Sequence, residues 1–240
     1  MFELKPGGCL LQFQDRTMNA SPHISRRHLL VLGASSLAFV VPALRNVAAG
    51  RDTRKAVLGV GGAGFNLVNQ LRSQGAIQAT LAHANSREVI RSADGILPIP
   101  LEVPPTEPRF PFGDAIRMNA ENLARKAMSA LPETDRLILV AGLGGYVGSY
   151  ITPELARLAK IAGMQVMGLV YLPFAWEGDE HYRERSVRSL QAIENALDVL
   201  HVIDMQKASL EVPANTSMAH FFSIQDNSGV AMIKEFLNTA

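Results

Sequence analysis

Residues 55–68 read KAVLGVGGAGFNLV, and this stretch decides the fold. The apolar run Lys55–Val60 predicts a buried strand that stops at a glycine cluster, and Phe65, Leu67 and Leu71 follow at helical spacing. Glycine lets the backbone turn sharply because it has no Cβ. The first N–H groups of a helix that starts at such a turn can face a phosphate, with help from the helix dipole.

A second junction of the same kind lies later in the chain. Residues 136–141 read RLILVA and predict a strand, the glycine cluster GLGGYVG follows at 142–148, and Ile151, Leu155 and Ile161 then mark an amphipathic helix together with Leu158. Because parallel strands open their carboxyl ends on one edge of the sheet, we expect both glycine loops at one ligand site.

The rest of the chain alternates apolar strands with amphipathic helices. Further strands are predicted over 79–84, 95–100, 165–172 and 199–203, and further helices over 86–93, 114–130, around Val187, Leu190, Ile193 and Leu197, and over 216–238. The proline-rich residues 100–112 predict a loop or an extended segment. The pattern predicts an α/β fold of three layers, a mostly parallel sheet with helices on both faces, in residues 54–240.

Residues 1–53 are expected to lie outside this domain as a leader. Arg26 and Arg27 precede an apolar run that continues through Val41, and small residues follow at 47–49. That order is typical of a bacterial export signal of the twin-arginine class. We therefore expect an exported or membrane-associated protein, with membrane contact through residues 26–44; a cytoplasmic location is the alternative.

Composition excludes several classes of function. The chain is 48% hydrophobic and 19% charged, which favours a packed core over disorder. A net charge of +1 gives no concentrated basic surface of the kind that nucleic-acid binding needs. Cys9 is the only cysteine, so neither an internal disulfide nor a cysteine-based zinc site is expected, and we predict no metal site built from side chains.

The first loop also fits a different class of protein. Gly59-x-Gly61-x-x-Gly64 is the dinucleotide fingerprint, which would indicate a NAD-binding Rossmann oxidoreductase. Such an enzyme needs an acidic residue at the end of the second strand, and that strand ends in His83-Ala84-Asn85. Neither loop ends in Gly-Lys-Ser/Thr, so a P-loop is not present either.

Five segments, in order, resemble the GTPase domain of FtsZ, the bacterial homologue of tubulin. They are GVGGAGFN at 59–66, NS at 85–86, AGLGGYVGS at 141–149, PFAWEG at 173–178 and DVLHVI at 198–203. They are similar to the family's first phosphate loop, its Asn-Thr-Asp segment, its Gly-Gly-Gly-Thr-Gly-Thr-Gly signature loop, its Pro-Phe-x-Phe-Glu-Gly segment and the next strand. The resemblance covers about residues 55–235.

This resemblance implies GTP or GDP as the ligand, with Mg²⁺ as an optional companion. Backbone of the two loops would lie against the phosphates, Glu177 would accept from the ribose hydroxyls, and Phe222 with Asp226 would contact guanine. The implied nucleotide-binding residues are Gly61, Gly62, Ala63, Gly64, Asn66, Asn85, Gly142, Gly144, Gly145, Gly148, Ser149, Glu177, His181, Phe222 and Asp226.

The chain also departs from the family pattern. Tyr146 and Val147 replace a glycine and a threonine, Tyr150 replaces a glycine, Met205 replaces a base-contacting asparagine, and His181 stands where the family has an arginine. The chain ends before the family's activating acidic loop and second domain, so the resemblance implies a truncated relative with weak or absent hydrolysis and no catalytic residue to name. A pseudo-GTPase scaffold that binds a protein partner, or itself, is the alternative, and a NAD-linked enzyme is the second alternative.

Overall fold

The computed structural model describes residues 53–75, 77–86, 94–104, 112–178 and 180–238. The predicted leader up to residue 52, the helix predicted over 86–93 from residue 87 onward, and proline-rich residues 105–111 lie outside these ranges. Within them, no helix is both long enough and apolar enough to cross a membrane.

Strands and helices alternate along the described residues, as the sequence predicts. In chain order they are β1 (Lys55–Val60), α1 (Gly61–Ser73), β2 (Thr80–Ser86), β3 (Leu97–Leu101), α2 (Phe112–Met118), α3 (Ala120–Ala130), β4 (Arg136–Gly142), α4 (Tyr146–Ile161), β5 (Gln165–Leu172), α5 (Glu180–Glu194), β6 (Val199–Asp204), α6 (Met205–Ala208) and α7 (Met218–Asn238).

All six strands form one parallel sheet in the order β3-β2-β1-β4-β5-β6. The order reverses direction between β1 and β4, where Val60 pairs with Ala141 at the carboxyl ends of the two strands. A crevice opens at such a switch point because the two following helices cover opposite faces of the sheet. Both glycine loops leave the sheet at this point.

Each face of the sheet carries its own hydrophobic core. One core packs α1 and α7 against the sheet through Phe65, Leu71, Val230 and Ile233. The other packs α2 to α5 against the opposite face, with Leu155 on α4 among its fully buried members. Helices therefore cover both faces, and the predicted three-layer α/β fold is confirmed.

Three details of the helices differ from the prediction. The helix predicted over 114–130 is two helices, broken at Asn119, whose side-chain amide donates to the Ala115 carbonyl at 2.8 Å and competes with helical bonding. Ile161 was expected on the apolar face of α4 but is the last residue of that helix and is 71% exposed. Val187 on α5 is also exposed.

Candidate functional site

The two glycine loops touch each other at the switch point. A Cβ added to Gly61 would lie 3.6 Å from the backbone nitrogen of Gly148, and a Cβ added to Gly142 would lie 2.8 Å from the Cβ of Ala63. The helices α1 and α4 begin at these loops, at Gly61 and Tyr146. The unpaired N–H groups of two helix starts are thereby brought together at one edge of the sheet.

The glycines of the first loop do different things. A Cβ on Gly59 would lie 2.4 Å from the Gly64 carbonyl oxygen, and one on Gly64 would lie 2.5 Å from the Val140 oxygen, so this pair permits α1 to pack tightly on the sheet. Gly61 has φ 73°, a conformation that favours glycine. Gly62 has nothing within 4 Å of an added Cβ and faces open space.

The second loop is held by its own side chains. Gly144 has φ 111° and donates its N–H to Ser149 Oγ at 2.7 Å, while Arg185 Nε donates to the Gly144 carbonyl at 2.7 Å. The Tyr182 ring packs on Gly144 so closely that an added Cβ would come within 2.2 Å of it. Ser149 and Arg185 therefore fix the loop backbone from both sides of the Gly144 residue.

A cleft of about 780 Å³ lies in front of the loops. This volume is within the range of small-molecule sites. The predicted residues that line it are Gly61, Gly62, Ala63, Asn66, Asn85, Gly142, Gly145, Gly148, Glu177, Phe222 and Asp226. The predicted residues that lie outside its lining are Gly64, Gly144, Ser149 and His181. The first three of these four are in or under the loops, whereas His181 is on an exposed face of α5 with its Nδ1 3.6 Å from the Glu184 carboxylate.

Two carboxylates, those of Glu177 and Asp226, line the cleft and come after both glycine loops in the sequence. Glu177 accepts from the Phe174 N–H at 3.3 Å and from the Tyr182 hydroxyl at 3.4 Å. Asp226 is on α7, and burial raises its pKa. Burial, and then the charge of Asp226, raise the pKa of the buried hydroxyl of Tyr171, a residue that also lines the cleft.

The bulky residues of the second loop pack mainly on neighbouring elements, but the Val147 side chain lies between the loops, 3.7 Å from a Cβ added to Gly61. Tyr146 lines the cleft but rests its ring against the backbone of Gly113 and beneath the Arg185 guanidinium, 4.4 Å from the ring centroid. Tyr150 packs on the hydrophobic core and stacks on Tyr146, with 6.4 Å between ring centroids, and does not line the cleft. Val147 lines it and packs partly on the same core. Neither tyrosine fills the space between the two loops.

Sequence reasoning missed several residues of the site. Tyr182 holds Glu177 and covers Gly144, Trp176 stacks on Phe174 at 4.8 Å between ring centroids and lines the cleft, and His83 supports the first loop from behind. Gly144 and Gly178 have positive φ and no room for a Cβ against the Tyr182 ring, a contact for which the sequence contains no signal.

Several proteins of known sequence are similar to this chain at low identity. The cell division protein FtsZ of Helicobacter pylori (strain ATCC 700392 / 26695) is 27% identical over 176 residues, which are 71% of this chain and 45% of that protein. The homologues of this chain are FtsZ proteins. FtsZ 2 of Haloferax volcanii is 28% identical over 194 residues, 78% of this chain and 47% of the relative. The chain thus spans about half the length of these FtsZ proteins, and no protein-family model matches it.

Solved structures of the same group share the fold. An empty FtsZ dimer from M. jannaschii matches with a TM-score of 0.64 and 22% identity, over 78% of this chain and 55% of that one. CetZ2 from Haloferax volcanii, in a GTPγS-bound protofilament, matches with a TM-score of 0.60 and 23% identity, over 77% and 58% of the two chains. The chain therefore shares its overall fold with these FtsZ and CetZ structures.

Proposed function

We propose that the cleft binds a guanine nucleotide, GTP or GDP. The observation that carries this proposal is the contact between the two glycine loops, which brings the N-termini of α1 and α4 to one side of a cleft large enough for a nucleotide. The chain's similarity to FtsZ proteins supports the proposal, and so does its shared fold with GTPγS-bound CetZ2.

The phosphates would lie between the loops and be held by backbone rather than by cationic side chains. Gly62, Gly145 and Gly148 line this part of the cleft without side chains. Among the described residues that line the cleft there is no lysine or arginine. N–H groups at two helix starts supply the favourable electrostatics, and Mg²⁺ bound to the phosphates would offset their remaining charge.

The nucleoside would extend from the loops towards α7. Glu177 can accept hydrogen bonds from ribose hydroxyls, because its carboxylate has acceptor capacity beyond the Phe174 N–H and the Tyr182 hydroxyl. Phe222 and Asp226 both line the cleft on α7 and lie one helical turn apart. An ionised Asp226 can accept from N1–H and the N2 amino group of guanine, whereas adenine offers no such pair of donors. Asn66 and Asn85 would support the first loop beside the phosphates.

Hydrolysis would be slow. The cleft wall contains two carboxylates among its described residues, Glu177 and Asp226, and the roles proposed above occupy both at the ribose and at the base. A water attacking the terminal phosphate would then have no carboxylate of the described lining left as its base.

The chain contains its own reporter for the test. Trp176 is the only tryptophan, lines the cleft and is 68% exposed, so a bound nucleotide should change its fluorescence. Titration with GTP and GDP should give a saturable change, and matched titrations with ATP and NAD should not. The absence of a saturable change with guanine nucleotides up to high micromolar concentration would overturn the proposal, and a response to NAD alone would favour the oxidoreductase alternative.

A second candidate function is binding of a protein partner or of another copy over the mouth of the cleft. Trp176, Phe222 and Met218 line the cleft and are 68%, 43% and 47% exposed, which is unusual for large apolar side chains. The related CetZ2 forms a protofilament. Light scattering with and without GTP tests self-association; an unchanged monomer at all protein concentrations argues against it.

We further propose export or membrane association through the twin-arginine pattern at Arg26 and Arg27. Cell fractionation of the wild type and of an Arg26→Lys, Arg27→Lys variant tests this proposal. Envelope localisation that the double variant loses supports it, and an unprocessed wild-type chain in the cytosol contradicts it.

A further inference from the structure

We infer that His83 is a positioning residue that orients the phosphate-binding N–H of the first loop. This inference rests on the proposed function. His83 is a buried histidine near the end of β2, the strand end at which a Rossmann enzyme has an acidic residue.

His83 lies directly behind the first glycine loop. Its backbone pairs with Gly59 in the β1–β2 ladder, and its side chain reaches along the strand so that Nε2 is 3.2 Å from the Gly61 carbonyl oxygen. The side chain is fully buried, and the Phe65 ring packs on it with 4.8 Å between ring centroids and a tilt of 53°. The imidazole is therefore held in place by β1, β2 and α1.

The direction of this hydrogen bond follows from its partner. A carbonyl oxygen can only accept, so Nε2 bears the proton and donates it to the Gly61 oxygen. This fixes the tautomer of the imidazole when it is neutral.

The hydrogen bond sets the orientation of the next N–H. The peptide between Gly61 and Gly62 is trans, so its C=O and its N–H point in opposite directions. With the Gly61 oxygen directed inward to buried His83, the Gly62 N–H is directed outward, and Gly62 lines the cleft. His83 thus turns a hydrogen-bond donor, rather than a carbonyl oxygen, towards the proposed phosphates.

This peptide lies in the first turn of α1, where helix ends fray readily, and glycine stands on both sides of it. Glycine populates positive and negative φ with little preference, so the unit between Gly61 and Gly62 can reverse its direction more easily than one flanked by other residues. The reversed peptide would present the Gly61 oxygen to the phosphates and repel them. A buried donor at the carbonyl makes the productive orientation the stable one.

Two substitutions separate this role from simple packing. His83→Leu fills much of the space but has no donor, whereas His83→Gln keeps an N–H donor at a comparable reach. Leu71→Ala is the matched control, because Leu71 is fully buried at the far end of α1 and does not contact the loop. A thermal unfolding curve of each variant checks whether the chain still folds.

The first measurement compares affinities for GDP and for guanosine by Trp176 fluorescence. We expect His83→Leu to bind GDP about tenfold more weakly, the loss of one hydrogen bond that orients a charged contact, with little change for guanosine. His83→Gln should recover most of the GDP affinity, and Leu71→Ala should leave the ratio of the two affinities unchanged. Unchanged GDP affinity in His83→Leu, or an equal loss for GDP and guanosine, would overturn the inference.

The second measurement needs no nucleotide. NMR relaxation dispersion at the Gly62 amide should detect microsecond-to-millisecond exchange in His83→Leu, and none in the wild type or His83→Gln. A quiet Gly62 amide in His83→Leu would overturn the inference even if the wild type binds no nucleotide. Failure of the wild type to bind GTP and GDP overturns the proposed function instead, so the two failures are distinguishable.

Discussion

Alanine substitution at two glycines of the cleft should have opposite effects on stability and the same effect on nucleotide binding. Gly62 and Gly148 both line the cleft at the starts of their helices. A Cβ on Gly62 meets nothing within 4 Å, whereas a Cβ on Gly148 would lie 2.1 Å from the Gly142 carbonyl oxygen, where ordinary contacts begin at 3.4 Å. The two positions therefore differ in space but share the proposed phosphates as neighbours.

The magnitudes follow from this geometry. Gly62→Ala restricts the unfolded chain without a clash and should stabilise the fold by about 0.4–1 kcal/mol. In Gly148→Ala the methyl group meets backbone that cannot rotate away, so overpacking should cost about 1–3 kcal/mol. For a domain of this size each kcal/mol shifts the unfolding midpoint by about 2–4 °C. The midpoint should therefore rise slightly for Gly62→Ala and fall for Gly148→Ala.

Both variants should lose affinity for GDP. A methyl group that displaces a phosphate from one backbone donor removes a hydrogen bond to a charged group, which is worth about 1.5–3 kcal/mol, or about a tenfold to hundredfold change in the dissociation constant. Calorimetry measures stability and Trp176 fluorescence measures affinity. Ser73→Ala, at the other end of α1 and outside the cleft lining, is the control and should bind GDP normally. A stable Gly62→Ala protein with wild-type affinity for GDP would refute the reasoning.

Four further predictions concern Asp226, Arg185 and Tyr150. Asp226→Asn should raise the unfolding midpoint at neutral pH, because burial raises the pKa of Asp226 and so disfavours its ionised form in the folded protein. This gain in stability should shrink as the pH falls through the raised pKa, because the wild-type carboxyl is then protonated. Thermal scans at neutral and acidic pH measure the sign of this change. The same variant should lose its preference for GDP over ADP in titrations, and a retained preference would place the base elsewhere. Arg185→Lys should weaken GDP binding several-fold, because lysine cannot both donate to the Gly144 carbonyl and lie flat on Tyr146; unchanged titrations would contradict this. Tyr150→Phe should leave GDP affinity unchanged, since Tyr150 packs on the core, and a large loss would show that its hydroxyl reaches the ligand.

The sequence was a good guide to the sheet and to the two loops. Lys55–Val60 and Gln165–Leu172 are strands with the predicted bounds, because both are short apolar runs with clear ends, and a strand buried on both faces needs little else. The convergence of the loops also followed from the sequence, because parallel strands that precede helices all open on one edge.

Side-chain contacts between distant segments were beyond the reach of the sequence. The sequence predicts Gly59 and Gly64 in one phosphate loop, yet their closest neighbours are each other and Val140. The contact between Gly64 and Val140 depends on how α1 packs on β4. The resemblance to the family predicts His181 near the phosphates, whereas α5 carries Tyr182 to the loop and leaves His181 exposed.

Two of the differences within helices have local causes, one at Asn119 and one at the end of α4. Asn119 breaks a predicted helix through a bond from its side chain to the Ala115 carbonyl, and such bonds depend on a rotamer that periodicity does not report. Ile161 satisfies the apolar spacing of α4 but is the last residue of that helix, and its side chain is exposed.

A structure of the protein crystallised with GDP tests the central claim most directly. We expect diphosphate oxygens within hydrogen-bonding distance of the Gly62 and Gly145 N–H groups, with the guanine against Phe222 and Asp226. Nucleotide bound anywhere else, or a Tyr146 ring in the space between the loops in its place, would contradict it.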